Sequence, residues 1–345
     1  MKSQIHYDVT YGHLLTNELC TKYQGLKTLV VTDPTIKSNY GALFSRLNPN
    51  FLFTKTMEAR ILEQENQLLP PFDLVIGLGG GMAMDIAKFH AWESGKTLVQ
   101  VPTAISVDAM FSYPIALRYD GKVKYVGEII PEKIYCDFNI LQSTPPVLNR
   151  SGICDLLSCH TALYDWQLGA EKGKSHLDAE LYNKTATLLQ EVKDQVDDIY
   201  QVTEKGIRLL MEGFKFVAVE NYKIGHCQYE EGSEHFFYYC LEALTQKHFL
   251  HGKVINLGIL LMSMLQDNKV QEIKAIIKKA GVPIHPGSMD ISYDDIAQAL
   301  RQCNAYVAEK GYSYSILNDK TITEDFINDA INTIKSEFDP TFQAK

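Results

Sequence analysis

Nothing in this chain is strongly basic. Its 33 lysines and arginines are outnumbered by 42 acids, giving a net charge of −9, and no run of Lys and Arg breaks that balance. Such a surface repels a polyanion, so no nucleic-acid partner is expected. Cys-x-x-Cys pairs are also lacking. The seven cysteines, Cys20, Cys136, Cys154, Cys159, Cys227, Cys240 and Cys303, are an odd number in a long chain. That argues against a disulfide framework and for buried thiols. No apolar run suits a bilayer: Val254 to Leu265 is interrupted by Asn256, Gly258 and Ser263 and is too short to span one. Met1 to Thr16 carries neither the apolar core nor the cleavage pattern of a signal peptide. The expectation is a soluble cytoplasmic protein without a membrane partner.

What is present is a globular composition. Apolar residues make up 46% of 345 positions, too many for a disordered chain and enough for two cores. In the first half, short apolar runs alternate with helical patterns. Thr28 to Thr32, Leu74 to Gly77 and Thr97 to Val101 read as buried strands, and Met82 to Ser94 as a helix. Ile115 to Tyr119, Lys122 to Val126 and Lys133 to Asp137 are strand-like, with Asp120-Gly121 as a hairpin turn. After Pro145-Pro146 the patterns are helical: Leu181 to Tyr200, Gly206 to Tyr222, His235 to Thr245 and Val254 to Leu265. Strands alternating with helices predict a Rossmann-like α/β domain with a parallel sheet over residues 1–150, followed by an all-α domain over 151–345. Ligands of such a sheet bind outside the carboxyl ends of its strands.

Two segments lie at such ends. Gly77-Leu78-Gly79-Gly80-Gly81-Met82-Ala83-Met84-Asp85 joins a strand to a helix. Glycines there permit positive φ and close approach of backbone to a ligand, and the helix start favours a phosphate. The pattern is neither G-x-G-x-x-G nor a P-loop, and a plain tight turn is the bland alternative, with Asp85 ordering it. Pro102 to Ser112 follows the next strand. Its hydroxyls at Thr103, Ser106 and Ser112 suit a cofactor's ribose, phosphate or amide, or equally cap a helix start.

In the second half, His235 and His251 each stand at a helix-start signature, and Asp155 lies in the first turn of a third helix. One carboxylate and two imidazoles suffice for a catalytic divalent metal with an open position for a substrate oxygen. Their separations, 80 and 16 positions, follow no spacing rule, and capping or core roles compete.

In order along the chain, Gly-Gly-Gly-x-x-x-Asp, Pro-Thr-x-x-Ser-x-Asp-Ala-x-x-Ser, Gly-x-x-Asp-Leu-Leu-Ser, Gly-Ser-Glu-His and His-Gly, with Asp165-Trp166 between, resemble the glycerol-1-phosphate dehydrogenases. These belong with dehydroquinate synthase, glycerol dehydrogenase and the iron-containing alcohol dehydrogenases. The resemblance covers roughly Thr28 to Gly258 and implies a dehydroquinate synthase-like fold. It implies that Gly79, Gly80, Gly81 and Asp85 hold a dinucleotide's pyrophosphate, with Thr103, Ser106 and Ser112 on the cofactor. Asp33 would sit at the adenine ribose, favouring NAD(H) over NADP(H). Asp108 would contact substrate. Asp155, His235 and His251 would bind one divalent metal, zinc first, with nickel or iron as alternatives. The implied reaction reduces dihydroxyacetone phosphate. Relatives are often homo-oligomers, but no interface is legible here.

Three departures bear on the substrate. Tyr239 stands where the family usually carries a further histidine at the substrate. Tyr229-Glu230-Glu231 replaces Pro-Ala-Ser, and Tyr312-Ser313-Tyr314-Ser315 replaces an often arginine-bearing segment. Each removes or opposes positive charge, which points to a related hydroxy or keto compound, unless Arg118, Lys122 or Lys223 supplies the charge. Two rivals remain. A dehydroquinate synthase-like cyclase using NAD transiently is opposed by Asp155 and Lys253, where those enzymes carry Glu. A non-catalytic nucleotide-binding protein is opposed by the intact Asp155, His235 and His251.

Overall fold

The computed structural model describes residues 5–343. Its strands are β1 (Val9–Gly12), β2 (Thr28–Thr32), β3 (Asn50–Phe53), β4 (Leu74–Gly79), β5 (Thr97–Pro102), β6 (Pro114–Tyr119), β7 (Lys122–Glu128) and β8 (Lys133–Asp137). Six of them form one parallel sheet in the order β1-β8-β5-β4-β2-β3. Alternation explains why both faces are buried. Val30, Ile76 and Val99 point to a core with Leu19 and Phe44. Leu29, Val31, Val75 and Leu98 point to the opposite one, with Ile86 and Phe89 of the helix Gly81–Glu93.

β6 and β7 form a separate antiparallel hairpin. Asp120 and Gly121 turn it with φ of 52° and 77°, the left-handed pair that a two-residue turn of this hand requires. β8, next along the chain, leaves the hairpin and pairs in parallel with β1 and β5.

By contacts the chain forms two units. One comprises the chain up to Asn149 together with Val202–Gly225, and the other Arg150–Gln201 and the chain from His226 onward. The helix Glu204–Ile224 therefore groups with the α/β unit, although helices of the second unit precede it in sequence. Within that unit Tyr11 donates to Glu212 (2.7 Å), and Glu204 lies 2.9 Å from His13. Among its described residues the regular elements of the second unit are all helices. The expected helix Leu181 to Tyr200 is two, Ala179–Asp194 and Val196–Tyr200, parted at Gln195. Among the described residues no helix is long and apolar enough to cross a membrane.

Candidate functional site

In the α/β unit the sheet order reverses between β2 and β4: β3 lies beyond β2, whereas β5 and β8 lie beyond β4. Ligands of open α/β sheets bind at the carboxyl ends of such a pair. Asp33 follows β2, and the glycine run follows β4. Asp33 caps the helix Pro34–Tyr40, its Oδ1 accepting from the N–H groups of Thr35 (2.7 Å) and Ile36 (2.9 Å).

None of Gly79, Gly80 and Gly81 has positive φ, so conformational freedom is not why they are glycines. The reason is space. A Cβ on Gly79 would lie 2.6 Å from Ala83 Cβ, and one on Gly81 would lie 2.9 Å from Val107 Cγ2. Gly80 is the N-cap of the helix Gly81–Glu93, whose first-turn N–H groups suit an anion. Asp85 is turned inward. Its Oδ1 pairs with Lys88 Nζ at 2.6 Å and accepts from the Ala116 N–H at 3.4 Å. Burial raises its pKa against the pull of that ammonium. It occupies the ordering position considered above rather than an open face of the loop.

The segment Pro102 to Ser112 begins beside the glycine run. Gly79 pairs with Pro102, and the Thr103 N–H donates to the Gly79 carbonyl at 2.8 Å. Thr103 is buried and Ser106 half-buried. The Asp108 carbonyl accepts from the N–H groups of Phe111 and Ser112, and the Asp108 charge helps raise the pKa of Tyr7, chiefly a burial effect. Arg118 donates to the Gly121 carbonyl at 2.6 Å inside the hairpin, and Lys223 pairs with Glu220 at 3.2 Å.

In the helical unit, ligand atoms of Asp155, His235 and His251 all lie within 4.8 Å of one another. Asp155 stands in the first turn of the helix Ile153–Leu157, His235 in that of Ser233–Thr245, and His251 opens His251–Gln266. Glycines let these elements meet. A Cβ on Gly252 would collide with the Ser151 carbonyl, and one on Gly258 would lie 2.6 Å from the Glu234 carbonyl. A Cβ on Gly232 would lie 2.8 Å from Ala162 Cα.

The donor set fits a divalent cation. Asp155 Oδ1 is buried and accepts no hydrogen bond, although His251 Nε2 lies 3.2 Å away. Two lone-pair donors held close without a hydrogen bond are what a shared cation requires. Glu234 Oε1 lies 2.8 Å from His235 Nδ1. Donation there leaves Nε2 free to coordinate, the outer carboxylate–histidine contact common at metal sites. Glu234 is itself fixed, accepting from the Gly232 N–H (2.7 Å) and the Thr161 hydroxyl (2.6 Å). Burial pushes the His235 pKa down, but the bond to Glu234 and the charges of Glu231, Glu234 and Asp155 outweigh it, raising the value to about 9. The field at this point attracts positive charge.

Asp165 braces the same centre. Its Oδ2 accepts from the Ser233 N–H (2.8 Å), and its Oδ1 from the Ile316 N–H (2.7 Å) and Gln266 Nε2 (3.1 Å). Burial raises its pKa to about 7 against these bonds. The roles of Glu234, Asp165 and Lys88 escape sequence reasoning. Glu234 and Asp165 stand in motifs that carry the resemblance without revealing what they hold, and Lys88 is signalled only by an acid three positions earlier on an otherwise apolar helix.

Of the departing residues, Tyr239 donates to Glu231 Oε2 at 3.2 Å, and its ring centroid lies 6.2 Å from that of His235. Tyr312 stacks on Phe236 at 4.8 Å. Tyr229 is fully buried, and Tyr314 donates to Asp319. Cys154 and Cys159 are buried, and burial raises both thiol pKa values, the inert state of a thiol.

Residues 14–145 match the iron-containing alcohol dehydrogenase family. A glycerol-1-phosphate dehydrogenase, NAD(P)+, of Staphylothermus marinus is 30% identical over 328 residues, 91% of this chain and 89% of that protein. The protein of the same name from Hyperthermus butylicus is 29% identical, covering 85% of each chain. Among solved structures, a probable glycerol dehydrogenase from Sinorhizobium meliloti has the same fold, with a TM-score of 0.70 at 16% identity over 98% of both chains. Fold and site define a dehydrogenase of the iron-containing alcohol dehydrogenase class. Within that class the chain belongs to the glycerol-1-phosphate dehydrogenase family, whose members are NAD(P)-dependent oxidoreductases.

Proposed function

We propose that this chain interconverts a small ketone and its alcohol with NAD(H) or NADP(H), using one divalent metal, zinc first among the candidates, on Asp155, His235 and His251. The observation that carries this is the convergence of those three ligand atoms within 4.8 Å, with a buried Asp155 oxygen that accepts no hydrogen bond. When bound, the metal supplies Lewis acidity at the substrate oxygen, and the dinucleotide supplies the hydride. The protein's own residues bind and orient. Glu234 keeps His235 in the tautomer that leaves Nε2 free. Asp165 holds the start of the helix bearing His235. The first-turn N–H groups after Gly80 take the pyrophosphate, with Thr103, Ser106 and Ser112 in the adjoining segment. Asp33 caps its helix through Oδ1, its other oxygen suits a ribose hydroxyl, and Asp108 contacts substrate. The dinucleotide is held by the α/β unit, which takes in Val202–Gly225 as well as the residues before 150, and the metal by the helical unit. The setting is the cytoplasm, and the partner is a small molecule.

Dihydroxyacetone phosphate, giving glycerol 1-phosphate, is the substrate that the relatives' names support. One observation favours a second reading. Glu231, held by Tyr239, puts a carboxylate close enough to raise the His235 pKa, and a carboxylate there opposes a phosphate dianion. A kinetic screen decides. Dihydroxyacetone phosphate and unphosphorylated dihydroxyacetone are each reduced with NADH and with NADPH. A preference of tenfold or more in kcat/KM for the phosphate supports the first reading. An equal or reversed preference supports the second, and no oxidation of either cofactor with any ketone sinks both.

A further inference from the structure

Lys88 is a charged residue with no access to solvent. It sits about two turns into the helix that follows the glycine run, and its side chain is 0% exposed. An ammonium has three protons, and here each finds an acceptor. Nζ lies 2.6 Å from Asp85 Oδ1 on its own helix, 2.9 Å from the Ser112 carbonyl and 3.0 Å from the Pro114 carbonyl. The last two belong to the end of the Pro102 to Ser112 segment and the start of β6. A lysine beside a glycine loop is easily read as a phosphate ligand. This one is enclosed on the inner side, fully engaged, and cannot reach a bound anion.

Its bonds instead join the two candidate cofactor segments. Pro102 to Ser112 is tied to the glycine run where it begins, through the Thr103 N–H and the Gly79 carbonyl. In its middle, Val107 occupies the space that a side chain at Gly81 would need. At its end the tie to the glycine helix is Lys88. We propose that Lys88 is a positioning residue for the dinucleotide. It fixes the Thr103 to Ser112 segment against the first turn of the glycine helix, and so sets cofactor affinity without touching the cofactor. Replacing it with an apolar residue takes the ammonium from the Ser112 carbonyl, leaves the Pro114 carbonyl the longer Ser112 hydroxyl bond at 3.3 Å, and leaves Asp85 without its counter-charge, so the segment is loosened where it leaves the loop.

This inference rests on the reading of the glycine run as a dinucleotide site, and the test separates the two. NADH is titrated by fluorescence into the wild-type chain, K88M and the uncharged double variant D85N/K88M, with zinc affinity and thermal unfolding measured on each. Wild type is expected to bind NADH. Both variants are expected to bind it at least tenfold more weakly. In steady-state assays the KM for NADH should rise by a similar factor while kcat stays within threefold. Zinc affinity should stay within twofold, since its three ligands lie in the other unit. The double variant leaves no buried charge unpaired and so covers the case in which K88M does not fold. A folded variant with a lowered melting temperature but an NADH affinity within twofold of wild type makes Lys88 merely structural and overturns the proposal. A wild-type chain that binds neither NADH nor NADPH instead defeats the functional reading on which it rests.

Discussion

Glu234 decides which nitrogen of His235 is free, although it is not among the three clustered ligands. Its Oε1 meets His235 Nδ1 and the Gly232 N–H, and its Oε2 accepts a hydrogen bond from the Thr161 hydroxyl. Glu234→Gln keeps an oxygen for His235 and Gly232 and loses the charge. It should weaken zinc binding by about tenfold, the lower end for an outer-sphere partner. Glu234→Ala also strips buried donors of their acceptor and should cost about 100-fold in zinc affinity and about 1–3 kcal/mol in stability. Competition with a chromophoric chelator and urea unfolding read both effects. Equal zinc affinity in all three proteins would remove Glu234 from the account. At this scale the sequence is legible by residue type and resemblance, and by little else. Asp155, His235 and His251 are 80 and 16 positions apart, so no local pattern announces that they meet. Asp165 makes its bonds to Ser233, Gln266 and Ile316, from 68 to 151 positions away. Such a brace has no sequence signature, because its partners are backbone N–H groups and an amide.

Between elements, the metal centre depends on backbones that nearly touch. Gly252 faces the Ser151 carbonyl, four residues before Asp155, so the start of the helix bearing His251 is seated directly on the segment bearing Asp155. Gly252→Ala forces one of them to move, and backbone cannot yield as a flexible side chain does. The expected result is a stability loss of about 1–3 kcal/mol accompanied by weaker zinc binding, read by unfolding and chelator competition on the same sample. Loss of stability with unchanged zinc affinity would separate that contact from the metal centre. The elements themselves were unevenly legible. β2, β4, β5 and β8 are buried apolar runs, and their patterns place them well. β1 and β3, Val-Thr-Tyr-Gly and Asn-Phe-Leu-Phe, are four-residue strands at the sheet's two edges, too short for a periodicity. The glycine run is the strand-to-helix loop that its sequence predicts, but its glycines answer to crowding rather than to backbone freedom. Positive φ leaves no trace there, and the crowding by Ala83 and Val107 comes from side chains whose positions the run itself does not encode.

Over the whole molecule, pH acts on histidines remote from the metal as well as on the site. His90, in the α/β unit, and His160, in the helical unit, are buried. Burial lowers both pKa values from 6.5 to about 4, with Lys193 adding to the effect at His160. The unfolded chain takes up these protons near pH 6.5, and the folded chain does so only near 4. Their stabilising contribution is therefore complete above pH 6.5 and is lost as the pH falls through 4, by about 3 kcal/mol for each. Urea midpoints should drop steeply between pH 6.5 and 4, and less steeply in His160→Gln. A flat profile across that window would contradict the buried neutral state. The division of the chain shows what sequence patterns miss at this scale. The helix Glu204–Ile224 is amphipathic like its neighbours, and nothing in its own pattern tells which core receives its apolar face. It groups with the α/β unit.

The most direct test of the central claim is zinc titrated into chelator-stripped protein while NADH-dependent ketone reduction is followed. One ion per chain should bind, activity should rise in proportion to occupancy, and Asp155→Asn and His251→Ala should each lose both. Full reduction by the stripped protein, or undiminished zinc binding in those variants, would contradict the account.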